Sequence, residues 1–292
     1  MSDHLDFYEE IEEAGLRLIR KSVIELPSDI REALTKAYRT EKEEDGRLQL
    51  KAILDNIKLA ERLGVPICQD TGILYFYVRL GKKPLSLVRI GEALAAATRK
   101  ATVSIPLRSN AVHPFSRKNS GDNTGFGIPI VDWDASEDEY LEITALPKGA
   151  GSENRSAFRS LLPSDGIAGV KEFVIDTVIK AGGGPCPPSV VGIGVGGSPD
   201  LAMKLSKRAL LRPIGLRHQD PEIAKLEEEL LAGINATGIG PSGLGGSTTS
   251  LGVNAEIAFC HTASLPVGVN IQCWAARKAS ARIYEDGHVI YM

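Results

Sequence analysis

Four cysteines carry the chemistry most easily read from this chain of 292 residues. Three sit in settings that a core thiol would not need: Ile67-Cys68-Gln69-Asp70-Thr71-Gly72, Gly184-Pro185-Cys186-Pro187-Pro188 and Ile271-Gln272-Cys273-Trp274. The prolines on either side of Cys186 stiffen its backbone and remove donors around it, which suits a thiolate held in one position. The fourth, in Ile257-Ala258-Phe259-Cys260, reads as a small buried hydrophobe, the common state of a free cysteine. No Cys-x-x-Cys pair occurs, so a zinc ribbon or a thioredoxin-type site is disfavoured. Three separated thiolates could instead hold an iron–sulfur cluster whose fourth position stays open, and an open iron is a Lewis acid for a hydroxyl and a carboxylate. Spacing alone leaves that reading beside a structural role for the three, with zinc and His261 as a fourth ligand another form of it.

Other polar residues offer weaker signals. Arg108 suits a carboxylate ligand through its two-pronged guanidinium, or is simply a surface residue. His261 could orient or protonate a substrate, or could be a surface histidine. Glu153 and Asn154, in Gly149-Ala150-Gly151-Ser152-Glu153-Asn154, read first as a turn and second as a binding segment. Gly192-Ile193-Gly194-Val195-Gly196-Gly197 fits G-x-G-x-x-G between a strand and a helix, but no acidic strand end follows about 20 residues on. Close backbone packing is the plainer reading of those glycines. No P-loop is present, because the stretch from Gly238 to Thr249 lacks Gly-Lys-Ser/Thr.

The elements that must hold these residues are alternately helical and extended. The first 65 residues or so read as helical, most clearly through Leu50, Ile53, Leu54, Ile57 and Ala60, with Gly64 as C-terminal cap and Pro66 as a stop before Cys68. A buried strand is expected over 73–80 and a helix over about 91–103. Short strands over 128–133 and 140–145 alternate with Asn-, Ser- and Gly-rich loops. A helix over 167–181 leads into the Cys186 turn, a strand over 189–195, and a helix that Ser198 and Pro199 should start and that runs to about Leu211. A charged helix over 221–231 precedes a second glycine-rich loop over 238–252. The fold expected is mixed α/β, a helical N-terminal region followed by short sheets and helices with glycine-rich loops, which would converge on a cluster site if the three thiolates hold one. No composition break divides it.

Composition narrows the setting. With 34 Lys+Arg against 37 Asp+Glu the net charge is −3, which removes the electrostatic case for nucleic acid as main partner. No apolar run approaches a membrane span, and Glu9, Glu10, Glu12 and Glu13 stand where a signal peptide needs a basic and then an apolar segment. Four cysteines are too few for a disulfide scaffold, so a reducing, cytoplasmic setting is expected.

Taken together, six stretches resemble the alpha-type catalytic part of the iron–sulfur-dependent hydro-lyases, the family of class I fumarase and L-tartrate dehydratase. They are Pro66 to Gly72 (PICQDTG), Gly121 to Gly125 (GDNTG), Lys148 to Asn154 (KGAGSEN), Gly184 onward (GPCPPSVVGIGVGG), Gly238 to Thr249 (GIGPSGLGGSTT) and His261 to Arg277 (HTASLPVGVNIQCWAAR). The resemblance implies that Cys68, Cys186 and Cys273 ligate a [4Fe-4S] cluster with one iron open. It also implies substrate contacts at Gln69, Asp70, Arg108, Gly151 and His261, with Asp70 and His261 catalytic. The reaction implied is reversible, non-redox hydration of fumarate to L-malate, a step of the tricarboxylic acid cycle. L-tartrate and mesaconate are alternative small dicarboxylates, and a noncatalytic metal-binding subunit is the non-enzyme alternative. The whole of 1–292 resembles one alpha-type domain. The beta-type domain of single-chain relatives does not follow it, so a separate beta subunit is expected to complete the site, in an alpha2beta2 assembly.

Overall fold

The structure is a computed structural model that describes residues 3–292, with side chains from Phe7 onward. Three helices open the chain: α1 (Asp3–Ile24), α2 (Ser28–Thr40) and α3 (Glu44–Leu63). There follow β1 (Ile73–Leu80), α4 (Leu87–Ser104), β2 (Ile130–Ala135), β3 (Tyr140–Lys148), the short α5 (Ala150–Glu153), β4 (Ala157–Leu161) and α6 (Gly166–Ala181). Then come β5 (Ser189–Gly197), α7 (Pro199–Ala209), α8 (Pro221–Ala236), β6 (Ser250–Cys260), β7 (Leu265–Gln272), β8 (Ala279–Tyr284) and β9 (Val289–Tyr291). The mixed α/β reading is therefore correct, and so is the helical start. Among the described residues no helix is long and apolar enough to cross a membrane.

The chain divides into two compact units, each assembled from separated segments. The first comprises Met1–Pro27, Ile57–Ala150 and Arg277–Met292, the second Ser28–Asn56 and Gly151–Ala276.

In the first unit a five-stranded sheet has the order β2-β1-β3-β8-β9. Only the β1–β2 pair is parallel; β3, β8 and β9 follow as antiparallel neighbours. Leu74, Phe76 and Val78 of β1 project to one face, as the two-residue period of a strand requires, and pack with Ile11, Leu18 and Ile19 of α1 and Ile90, Leu94 and Ala97 of α4. The helix α4 starts four residues earlier than its apolar pattern suggests, because the Ser86 hydroxyl caps it by accepting from Arg89 N–H. The strand β2 starts two residues late: Ile128 N–H is spent on Gly125 carbonyl, and Pro129 has no N–H to offer a ladder. At the end of α3, Gly64 is left-handed, and bonds from Val65 N–H to Ala60 and Gly64 N–H to Glu61 close the cap.

In the second unit a four-stranded sheet has the order β4-β7-β5-β6, with β5 and β6 parallel. The faces of β5 are divided by residue size. Val191 and Ile193 join Val174, Leu230 and Val269 in the apolar core under α6 and α8. Gly192 and Gly194 point the other way, and there α7 lies directly on the backbone. A Cβ on Gly192 would stand 2.1 Å from Ser206 carbonyl oxygen and one on Gly194 2.0 Å from that of Ala202, so no side chain fits at either. The G-x-G-x-x-G stretch is thus a packing device, in line with the plainer reading of those glycines. Ser198 occupies the N-cap of α7, yet its hydroxyl donates to Asp200 Oδ1 at 2.5 Å instead of capping the backbone. The helix α8 continues to Ala236, and the second glycine-rich loop ends at Thr249, where β6 begins.

Gly194→Ala should destabilise the protein by at least about 3 kcal/mol, since the clash is with backbone and not with a movable side chain. Gly91→Ala, in α4 with nothing within 4 Å of the added carbon, should stabilise it by about 0.5–1 kcal/mol. Thermal unfolding of the two variants checks both signs.

Candidate active site

In the first unit the residues after Cys68 form a loop organised by one carboxylate. Asp70 Oδ1 accepts from Gly72 N–H at 3.0 Å and from Asn110 Nδ2 at 3.3 Å, and Oδ2 accepts from Ala150 N–H at 2.8 Å. The approach is close enough that a Cβ on Gly149 would meet Asp70 Oδ2 at 2.8 Å, and one on the left-handed Gly72 would meet Lys148 backbone at 2.6 Å. Thr71 Oγ1 donates to Arg108 carbonyl, which also accepts from Asn123 Nδ2, and Asn110 N–H donates to Asn123 Oδ1 at 2.6 Å. Arg108 and Gln69 are exposed, while Cys68 and Asp70 are half-buried. The structure therefore brings Cys68, Gln69, Asp70 and Arg108 onto one loop cluster, with the two longest polar side chains outward.

In the second unit the Cys186 turn is fixed from three directions. Cys186 is exposed and left-handed at φ 54°, unusual for a residue with a Cβ, and its N–H donates to Gly183 carbonyl. Its carbonyl accepts from Trp274 N–H at 3.1 Å, which ties the segment after Cys273 to the turn. Ser242 N–H donates to Pro187 carbonyl at 2.8 Å, so the two glycine-rich loops lie backbone against backbone; a Cβ on Gly243 would meet Gly183 Cα at 2.6 Å. The loop over 239–247 is anchored in turn by Glu41, 5% exposed, which accepts from Ser247 N–H and hydroxyl and from the N–H groups of Lys42 and Glu43. Gly151 lies against the same turn: a Cβ there would stand 3.2 Å from Gly184 carbonyl oxygen.

His261 is elsewhere. It opens a turn before β7, Nδ1 accepting from Ala263 N–H, whereas Cys273 follows the far end of that strand. Eight residues of strand separate them by roughly 25 Å. His261 instead lines, with Val170, Val195, Ile257 and Leu265, a mostly apolar cavity of about 350 Å³. Cys260 is beside it and exposed, contrary to the buried state expected from its apolar neighbours. The reason is that β6 is an edge strand whose last residues run out of cover, leaving Phe259 104% exposed. With His261 so placed, zinc held by Cys186, Cys273 and His261 of one chain is excluded. Among the described residues no three His, Cys, Asp or Glu side chains gather to hold a metal ion.

An iron–sulfur cluster makes different demands, and one buried side chain next to Cys273 suits one of them. No disulfide joins any of the four cysteines. Gln272, immediately before Cys273, is 1% exposed, and neither end of its amide has a hydrogen-bond partner among the described residues. Buried amides left so are rare, and the Nε2 of one beside Cys273 is placed to donate to a sulfur acceptor, such as those an iron–sulfur group carries. Reasoning from sequence missed Asn110 and Asn123 as members of the Asp70 network and Glu41 as an anchor. The asparagines were within reach, since Asn123 lies in GDNTG; Glu41, in a charged stretch among helices, gave no signal.

A family model described as fumarate hydratase (Fumerase) matches residues 12–282. A Methanocaldococcus jannaschii protein provisionally named L(+)-tartrate dehydratase subunit alpha is 52% identical over 280 residues, covering 94% of this chain and 98% of its own. The L(+)-tartrate dehydratase alpha subunit of Escherichia coli strain K12 is 37% identical over 262 residues, 89% of this chain and 86% of its own, and that of Shigella sonnei is equally similar.

Burial pushes the Glu41 carboxyl up, but the hydrogen bonds from Glu43, Ser247 and Lys42 outweigh it and hold the group below its ordinary value. A carboxyl lowered in the folded state contributes stability that is full above its unfolded pKa and is lost as pH falls through the folded one. Glu41→Gln should therefore cost about 2 kcal/mol near neutrality and flatten the acid limb of stability against pH. Denaturant unfolding of both proteins across the acid range is the check.

Proposed function

Because the chain belongs to the fumarate hydratase family of hydro-lyases, we propose that it is the alpha subunit of a two-subunit class I fumarate hydratase interconverting fumarate and L-malate. The observation that carries this reading is the family match over residues 12–282, nearly the whole chain. The proposal assigns Cys68, Cys186 and Cys273 as thiolate ligands of a [4Fe-4S] cluster. Bound there, the cluster supplies an open iron that polarises the C–O bond of the hydroxyl to be lost.

The roles of the chain's own residues follow from their settings. Arg108, exposed beside the Asp70 loop, is proposed to hold a substrate carboxylate through its planar fork, with backbone at Gly151 and the exposed Gln69 side chain completing the grip. Asp70 has each oxygen already accepting from the protein, so it is suited to orienting a proton donor or acceptor while staying fixed itself. The base that removes the carbon-bound proton is proposed to come from a beta subunit, as the alpha-subunit names of the relatives suggest. His261, at the other end of its sheet from Cys186 and Cys273, could reach a substrate at those cysteines only from a second copy in a larger assembly. An alpha2beta2 assembly is proposed.

A second reading, L-tartrate as substrate, is favoured by the names of those relatives. Tartrate carries one more hydroxyl than malate, and a single group of that size alters affinity by only about 1–3 kcal/mol unless a polar partner is built for it. The test is kcat/KM for L-malate, L-tartrate and mesaconate on the alpha–beta complex reconstituted without oxygen. At least tenfold preference for malate supports fumarate hydratase, and the reverse order replaces it with tartrate dehydratase. Cys68→Ser, Cys186→Ser and Cys273→Ser should each lose iron and activity, whereas Cys260→Ser keeps both; iron loss confined to the Cys260 variant would refute the ligand assignment. The alpha chain alone should show little or no turnover.

A further inference from the structure

The stretch that begins at His261 ends in a residue used by none of the roles above. Arg277 is among the largest fully buried side chains of the protein, 1% exposed. Within the first unit its Nη2 donates to the Asp70 carbonyl at 3.1 Å, while Nε and Nη1 have no hydrogen-bond partner among the described residues. No carboxylate is paired with it there. Asp70 does not serve, because Arg277 reaches its carbonyl and not its carboxylate, which accepts from Gly72, Ala150 and Asn110.

A guanidinium stays charged at any pH a protein survives and offers five donors in a rigid fork. Buried with one neutral acceptor, such a charge is strongly unfavourable unless an anion completes it. The contact it does make is two residues from Cys68, so the anion needed is one held at the Cys68 loop. We propose that Arg277 is a positioning residue that fixes the Cys68–Gly72 loop through the Asp70 carbonyl and donates from Nε and Nη1 to the sulfur atoms of the thiolate-bound iron–sulfur group. This rests on the cluster reading above. A buried cation beside the group favours its more reduced state, since hydrogen bonding and local charge set cluster potentials.

The experiment uses the alpha–beta complex, reconstituted without oxygen, as wild type, R277Q and R277K. It reads iron and acid-labile sulfide per chain, iron loss to a chelator, the midpoint potential followed by electron paramagnetic resonance, KM for L-malate, and Tm of the metal-free chain. R277Q should keep the metal-free Tm, lose iron about tenfold faster, as expected on removing a charge-assisted donor pair, and shift the potential to more negative values. R277K, which keeps the charge without the fork, should hold its potential near wild type but retain iron only partly. Wild-type potential and iron retention in R277Q overturn the proposal, as does a rise in KM alone, which would make Arg277 a substrate-carboxylate contact. If R277Q does not fold, wild-type iron retention in R277K overturns it. A wild type that takes up no iron or sulfide overturns the cluster reading itself, a result distinct from a loaded wild type with unaltered variants.

Discussion

The Asp70 carboxylate is the interaction on which the first unit's candidate chemistry depends. Its two oxygens collect backbone N–H groups from Gly72 and Ala150, residues 78 apart in sequence, together with the Asn110 amide. Hydrogen bonds to a charged acceptor are about twice as strong as neutral ones, so this one side chain can hold the loop after Cys68, the start of α5 and the segment carrying Arg108 in fixed relation. Gly72 and Gly149 are there because nothing larger allows the approach. The exposed ends of Gln69 and Arg108 are therefore mounted on a loop with little freedom of its own.

The second unit solves the same problem with a different carboxylate and more backbone. Glu41 reaches across to the loop over 239–247, that loop meets the Cys186 turn through Ser242 and Gly243, and the turn accepts Trp274 N–H. The glycines of β5 serve another purpose: they let α7 rest on the strand itself. In both units, loops rich in Gly and Asn are tied down by backbone N–H groups that donate to a carboxylate or a carbonyl, as buried polar backbone requires.

Reading the sequence recovered the long amphipathic helices, β1, β5 and the caps at Gly64 and Pro199, where hydrophobic period or stop residues are strong. It missed β4, β6, β7, β8 and β9. Of these, β4, β6 and β8 carry more Ala, Gly, Ser and Asn than Val and Ile, as in Ala279-Ser280-Ala281, so their alternation is faint and their burial is set by the partner strand, while β9 is only three residues long. The candidate residues around Cys68 and Cys186 were legible because odd residues in tight loops have few structural uses. His261 was legible as a residue but not as a place, since twelve positions along the chain can fold back on themselves or, as here, run out as a strand. The division into two units left no trace in composition because neither unit is a continuous stretch of chain.

That discontinuity bears on how the protein is made. The strand β8 is an inner strand of the first sheet, seated against β3, and it belongs to the last segment of that unit to leave the ribosome. The second unit has by then been synthesised almost entirely, while the first sheet still presents β3 as an open edge. Both sheets wait on the same late stretch of chain, since β7, an inner strand of the second, ends seven residues before β8 begins. For an interval the unfinished sheet shows unpaired backbone of the kind that recruits other extended chains.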